Sequence, residues 1–344
     1  MICTNHKLIC KDSRNMAGIP SQSVQLIVTS PPYPMIGLWD EMFSSLSPNI
    51  DIATISHFPD MAYKEMHKIL NKVWDECDRV LENNCFICIN IGDAVRTIDG
   101  RFAMYPNHIQ ITEYFRRKGY TMLPDILWRK PTNAPNKFMG SGMYPAGAYV
   151  TYEHEYILIF RKGSNRNFED KQNRHESAYF WEERNVWFSD LWEIKGTSQL
   201  ISANKSNRTR NAAYPFEIPY RLVNMYSVKG DTVLDPFCGT GTTNIACMAS
   251  ERNSIGIDID EKMLGEIIQS SIHSSARLNE RIEKRINDHI QYINSLPEEK
   301  AKKLYINKYH GFQVKTRQET EIKINKIKSI YRSTDKREIL CRYT

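Results

Sequence analysis

No run in this chain approaches the roughly 18 apolar residues that a membrane-spanning helix needs, and its start has no apolar signal core. A helical membrane protein is excluded, and export is not expected. A disulfide framework is missing as well. The eight cysteines are scattered, and the lone CxxC, Cys85 and Cys88, falls inside a strand-like run with no second pair to complete a zinc site. These two read as small buried hydrophobes in a reducing, cytoplasmic setting, and no metal is expected. No internal repeat is visible. With 25% charged and 41% apolar residues the composition is globular rather than disordered. The 344 residues suffice for one large α/β domain with attachments, or for two domains. Acidic residues are scarce at one end. Residues 271–344 hold 17 Lys and Arg against 9 Asp and Glu, a surplus larger than the +6 of the whole chain. Such a tail offers a phosphate-binding surface or simply a solvated helix face.

What is present is concentrated in two loops. Thr29-Ser30-Pro31-Pro32-Tyr33 follows the apolar run from Val24, and Asp235-Pro236-Phe237-Cys238-Gly239-Thr240-Gly241 follows the run from Thr232. Both runs read as buried parallel strands, and ligands bind beyond the carboxyl ends of such strands. Further strands are expected at Lys7–Cys10, Cys85–Ile91, Met122–Trp128, Glu155–Phe160 and Ser254–Ile257. Helices are expected after Asp60, near Ile109–Lys118, over Glu217–Ser227, after Thr242 and near Asp260. Residues 37–59 read as a long surface loop, and Asp60 as the cap of the helix that follows. The alternation indicates a mostly parallel sheet.

In the second loop, Gly239 and Gly241 permit a tight turn and close approach to a ligand. The helix starting at Thr242 directs free N–H groups at that ligand. No lysine follows the glycines, which disfavours a nucleoside triphosphate. Asp258 lies 23 residues past Asp235, where an acid can hold ribose hydroxyls. The pattern fits a dinucleotide or S-adenosylmethionine. In the first loop, two prolines stiffen the chain. Ser30 Oγ and the Pro31 carbonyl can present two acceptors to an NH₂ group, and Tyr33 can stack on a base that has left the duplex.

These motifs resemble those of the exocyclic-amine DNA methyltransferases. Thr-Ser-Pro-Pro-Tyr is similar to the catalytic motif of the N4-cytosine members, whose adenine-N6 relatives usually carry Asp or Asn at the Ser30 position. The Asp235 loop through Thr242 is similar to the family's cofactor motif, Ile257–Asp260 to its ribose motif, and Asp12-Ser13 to its adenine-binding acid. Asn211 through Pro219 is similar to the motif that precedes the cofactor loop, although Asn211 stands where His is usual. The catalytic loop precedes the cofactor loop, as in the β subgroup. No third strand is evident after Asp258, and the Leu8-Ile9 strand can fill that place, so a circular permutation is expected.

The resemblance implies a circularly permuted α/β, Rossmann-like fold with a mostly parallel sheet. Residues 1–160 would be its catalytic half and 211–270 its cofactor half. Residues 161–210, with Trp181, Trp187 and Trp192, would form an inserted target-recognition segment lying outside the sheet, or would simply be core. Residues 271–344 would form a basic helical tail. It also implies methyl transfer from S-adenosyl-L-methionine to N4 of cytosine in double-stranded DNA. Ser30, Pro31, Pro32 and Tyr33 would be catalytic. Asp12, Asp235, Pro236, Phe237, Gly239, Thr240, Gly241, Thr242 and Asp258 would hold the cofactor. Alternatives are N6 of adenine, an RNA or protein-glutamine target, and an inactive DNA-binding regulator. A Cys-nucleophile cytosine C5 enzyme is excluded, since no Pro-Cys pair occurs. The expected partner is double-stranded DNA; a cognate restriction endonuclease would be a functional rather than a physical counterpart, an orphan enzyme being the alternative, and the chain would act as a monomer or homodimer.

Overall fold

The computed structural model describes residues 2–130, 139–196, 214–335 and 337–344. One twisted sheet organises them. Its five central strands are parallel, in the order Leu81–Ile91, Val24–Thr29, Thr232–Asp235, Asn253–Asp258 and Cys3–Cys10. The first strand of the chain thus lies beside the last parallel strand, with Leu8 opposite Gly256. The third strand expected after Asp258 is supplied by the start of the chain, as the permuted order requires.

The Val24 strand shows why the centre forms. Leu26 and Val28 enter one apolar cluster with Ile218, Leu222 and Val223, while Ile27 enters another with Met66, Leu70 and Trp74. Both faces are covered, so the strand reads as continuous apolar sequence rather than as an alternation. The helix Glu217–Tyr226 covers the first face, and Pro59–Val80 covers the second. Cys85 and Cys88 are buried among these residues, as expected.

Antiparallel strands flank the parallel centre. His154–Arg161 runs against Leu81–Ile91, with Tyr156 opposite Ile91. The start of His154–Arg161 therefore lies at the same edge as the carboxyl ends of the parallel strands. Beyond it lie Ile126–Arg129 and, parallel to that, Leu191–Glu193.

Several expectations need correction. Residues 37–59 are not an open loop: helices Asp40–Leu46 and Ile52–His57 form there, because Phe43, Ile50 and Ile55 are buried. The helix after them begins at Pro59 with Phe58 as its cap, and Asp60 lies inside its first turn. The tail is helical over Ser275–Asn294 and Glu298–Ala301, but it ends in strands that extend the main sheet: Glu338–Tyr343 pairs antiparallel with Cys3–Cys10, and Ile327–Arg332 pairs antiparallel with Glu338–Tyr343. Ile339, Cys341 and Tyr343 alternate inward, the period of a half-buried strand. Several of the tail's cations are ion-paired. Arg285 binds Glu183, Lys326 binds Glu283, and Arg337 binds Glu261.

Of the segment 161–210, residues 197–210 lie outside the described residues, as does Asn211. The described part enters the body of the protein. Leu191–Glu193 joins the sheet, Trp187 and Trp192 are buried, and Trp181 stacks on Tyr292 of the tail helix. Among the described residues no helix is long and apolar enough to cross a membrane.

Candidate functional site

The two loops face each other across a cavity of about 480 Å³ at the carboxyl ends of the parallel strands. Asp12, Ser30, Pro31, Pro32, Asp235, Pro236, Phe237, Gly239, Thr240, Thr242 and Asp258 all line it. Two expected residues do not. Gly241 has φ +74°, and a Cβ there would meet Ile267 at 2.7 Å, so its lack of a side chain serves helix packing rather than approach to a ligand. Tyr33 points to the other side of its loop, into a smaller cavity of about 260 Å³ that it shares with Gly92, Asp93, Lys130, Tyr152 and Glu155.

Asp235 joins the two halves. It is 2% exposed. It accepts hydrogen bonds from Thr29 Oγ1 at 2.7 Å, Thr243 Oγ1 at 2.6 Å and the Phe237 amide at 3.1 Å. Thr29 precedes the Ser-Pro-Pro-Tyr loop and Phe237 belongs to the other, so one carboxylate sets their separation. Burial pushes its pKa up to about 6, against the pull of these donors. A second tie comes from Ser13, whose Oγ donates to the Pro236 carbonyl.

Asp258 accepts from the amides of Gly239 at 3.0 Å and Asp260 at 3.0 Å. Burial raises its pKa, and it lines the cavity. Asp12 is gripped by Arg14 through Nε and Nη2. Burial opposes ionisation of Asp12, but the Arg14 bonds outweigh it and hold the carboxyl below its ordinary range. The walls therefore combine a glycine turn at Gly239, with φ +48°, the acids Asp12 and Asp258 and the apolar faces of Pro32, Phe237 and Met263. This donor set fits an adenosine carrying a charged amino-acid arm: acids for hydroxyl and amino groups, apolar faces for a planar base.

On the other side of the loop, Ser30 Oγ lies 3.0 Å from Tyr33 Oη. Tyr33 Oη donates to Glu155 Oε2 at 2.9 Å. Asn90 Nδ2 donates to Glu155 Oε2 at 2.6 Å and to Tyr33 Oη at 2.8 Å. Lys130 forms an ion pair with the other oxygen of Glu155. Burial, then the Glu155 charge, push the Tyr33 phenol well above its ordinary range, so it remains a proton donor. Gly92 makes room for this arrangement, since a Cβ there would lie 3.0 Å from the Tyr33 ring and 3.3 Å from Glu155. Sequence reasoning assigned no role to Asn90, Lys130 or Glu155. The available signal was strand direction: Glu155 opens a strand antiparallel to the centre, which brings it to the ligand edge.

Comparison with known proteins agrees with this geometry. The model of the N6/N4 methylase family, described as DNA methylase, matches residues 24–270. The chain is 50% identical over 327 residues to the type II methyltransferase M.MthZI of Methanothermobacter thermautotrophicus, covering 93% of this chain and 90% of that protein. It is 50% identical over 283 residues to M.MjaI of Methanocaldococcus jannaschii, covering 79% and 92%. Among solved structures, TTHA0409 of Thermus thermophilus, assigned as a DNA modification methylase and complexed with S-adenosyl-L-methionine, matches with a TM-score of 0.60 and 30% identity over 77% of this chain and 94% of that one. The cytosine-N4-specific PvuII DNA methyltransferase shares the fold, with a TM-score of 0.55 at 15% identity over 76% and 85%.

Proposed function

The chain belongs to the DNA methylase family, as an S-adenosyl-L-methionine-dependent DNA amino-methyltransferase of the β subgroup, restriction-modification type, and from that premise we propose that it methylates N4 of cytosine in double-stranded DNA. The observation that carries this reading is the position of Ser30. It stands on a proline-stiffened loop between the two cavities, with its hydroxyl tied to Tyr33. A neutral hydroxyl there suits the amine of cytosine.

The larger cavity would hold the cofactor, with Asp258 on ribose hydroxyls, Asp12 at the adenine end, and Pro236, Phe237, Thr240 and Thr242 along the wall. Bound there, S-adenosylmethionine supplies an electrophilic methyl group. Everything else in the reaction falls to the chain. The smaller cavity would receive the target base, turned out of the duplex and stacked on Tyr33. Ser30 Oγ and the Pro31 carbonyl would accept the two amine protons, drawing the nitrogen out of conjugation with the ring. Positioning and fixed dipoles supply the acceleration in such a site.

DNA would approach from the side of the smaller cavity. Lys130 and Tyr152 line it, and the segment between them carries Met143, Tyr144 and Val150, all strongly exposed. Methylation would protect the recognition sequence from a cognate endonuclease. Incubation with plasmid and methyl-labelled cofactor, followed by digestion to nucleosides and mass analysis, tests the reading. N4-methylcytosine is expected. N6-methyladenine would transfer the same geometry to the other amine and overturn the choice of base.

A further inference from the structure

Glu155 gives the hydrogen bonds around Ser30 a direction. An ionised carboxylate only accepts, so Tyr33 must donate its proton to Glu155. Tyr33 Oη then accepts, both from Asn90 Nδ2 and from the Ser30 hydroxyl. Ser30 is thereby committed as donor to Tyr33, and the lone pairs of its Oγ turn toward the substrate. Asn90 stands 3.4 Å from that oxygen, beyond a strong bond. Among the described residues, Glu155 is the one carboxylate bonded to the loop 30–33.

We propose that Glu155 is the proton acceptor of the transfer, reached through Ser30 and Tyr33. When the amine nitrogen forms its bond to the methyl carbon, the carbon–sulfur bond breaks, its electron pair stays on sulfur, and the nitrogen carries one proton too many. That proton passes to Ser30 Oγ as the Ser30 proton passes to Tyr33 Oη and the Tyr33 proton to Glu155 Oε2. The carboxylate ends as a carboxylic acid, and both hydroxyls are restored. Lys130, bound to the other oxygen and 41% exposed, marks the side on which Glu155 returns the proton to water. The other ionisable groups of that cavity wall are Asp93, Tyr152, Glu153 and His154. Asp93 is occupied by His108 and Tyr152, and none of these groups touches Ser30 in the described hydrogen bonds.

The inference rests on the amine-methyltransferase reading but not on the choice of base, because the relay serves either amine. Glu155→Gln keeps an acceptor for Tyr33 and removes the base. Tyr33→Phe keeps the ring and breaks the chain. Single-turnover transfer should fall about 100-fold in each variant, and the double variant should be no slower than the slower single, because all act on one relay. The acidic limb of the parent's pH–rate profile should be missing in Glu155→Gln. Two readouts that need no transfer should stay at parent values: calorimetric affinity for S-adenosylhomocysteine, and the fluorescence rise of 2-aminopurine at the target position on DNA binding. Transfer by Glu155→Gln at the parent rate, or losses that multiply in the double variant, would overturn the relay. A lost fluorescence rise would overturn it in favour of a purely structural role. If the parent itself methylates no DNA base, the functional reading falls instead.

Discussion

Two carboxylates flank the Ser-Pro-Pro-Tyr loop, and they are not equivalent. Asp235 borders the larger cavity but is only 2% exposed, with both oxygens taken by donors from the two loops and from the helix after them. Glu155 holds a comparable set of donors, Tyr33, Asn90 and Lys130, but stands on the wall of an open cavity. The first can build but has no route for a proton. The second can do both. A carboxylate's role follows from what lies beyond its hydrogen bonds, not from how many it makes.

Both depend on one sheet, so removing its outer edge should have the largest effect. A chain ending at Ser274 would lose buried Leu278, Ile282, Ile293, Ile327, Ile330, Ile339 and Tyr343. Each contributes about 1.5–3 kcal/mol, and a whole domain has only about 5–15 kcal/mol. Such a chain should be unfolded by circular dichroism. A soluble, cofactor-binding product would contradict the packing role of the tail.

Next comes pH. Because burial raises Asp235 from 3.8 to about 6, its contribution to stability is complete below about pH 3.8 and is lost as pH rises through about 6. Asp235→Asn lacks this titration. Its stability relative to the parent should therefore improve by about 2.4 kcal/mol between pH 4 and pH 7. Denaturant titrations at the two pH values that give the same difference would show that Asp235 is not strained by burial.

Alanine substitutions then separate the pair. Asp235→Ala strands the hydroxyls of Thr29 and Thr243, partly offset by removal of a buried charge, and should cost about 2 kcal/mol of stability. Glu155→Ala leaves its donors beside an open cavity where water can replace it, and should cost about 1 kcal/mol or less. Equal losses in urea titrations would erase the distinction. The smallest effect is local. Asp258→Ala should weaken S-adenosylhomocysteine binding about tenfold by calorimetry. Unchanged affinity would remove Asp258 from the cofactor wall.

Much of this was legible in the sequence where one loop carries its own chemistry. Gly239 and Asp258 lie beside each other as the Gly-rich pattern implies, and Leu8 pairs beside Gly256 as the permuted order requires. Glu155 and Asn90 were not legible, because their roles come from pairing register: Tyr156 against Ile91 brings two distant residues onto one phenol. The C-terminal strands were missed because many of their residues are charged, and the alternation of Ile339, Cys341 and Tyr343 is short. Trp187 and Trp192 left a recognition surface and core both open for the opposite reason. Polar neighbours surround them in sequence, but the sheet edge and the tail helix bury them in space.

The central claim is that Ser30 lines the cofactor cavity yet serves the amine chemistry rather than cofactor binding. Ser30→Ala tests it in one preparation. Calorimetry with S-adenosylhomocysteine and single-turnover transfer to DNA should part company, with affinity within about twofold of the parent and transfer about 100-fold slower. Transfer at the parent rate, or affinity and rate falling together, would contradict it.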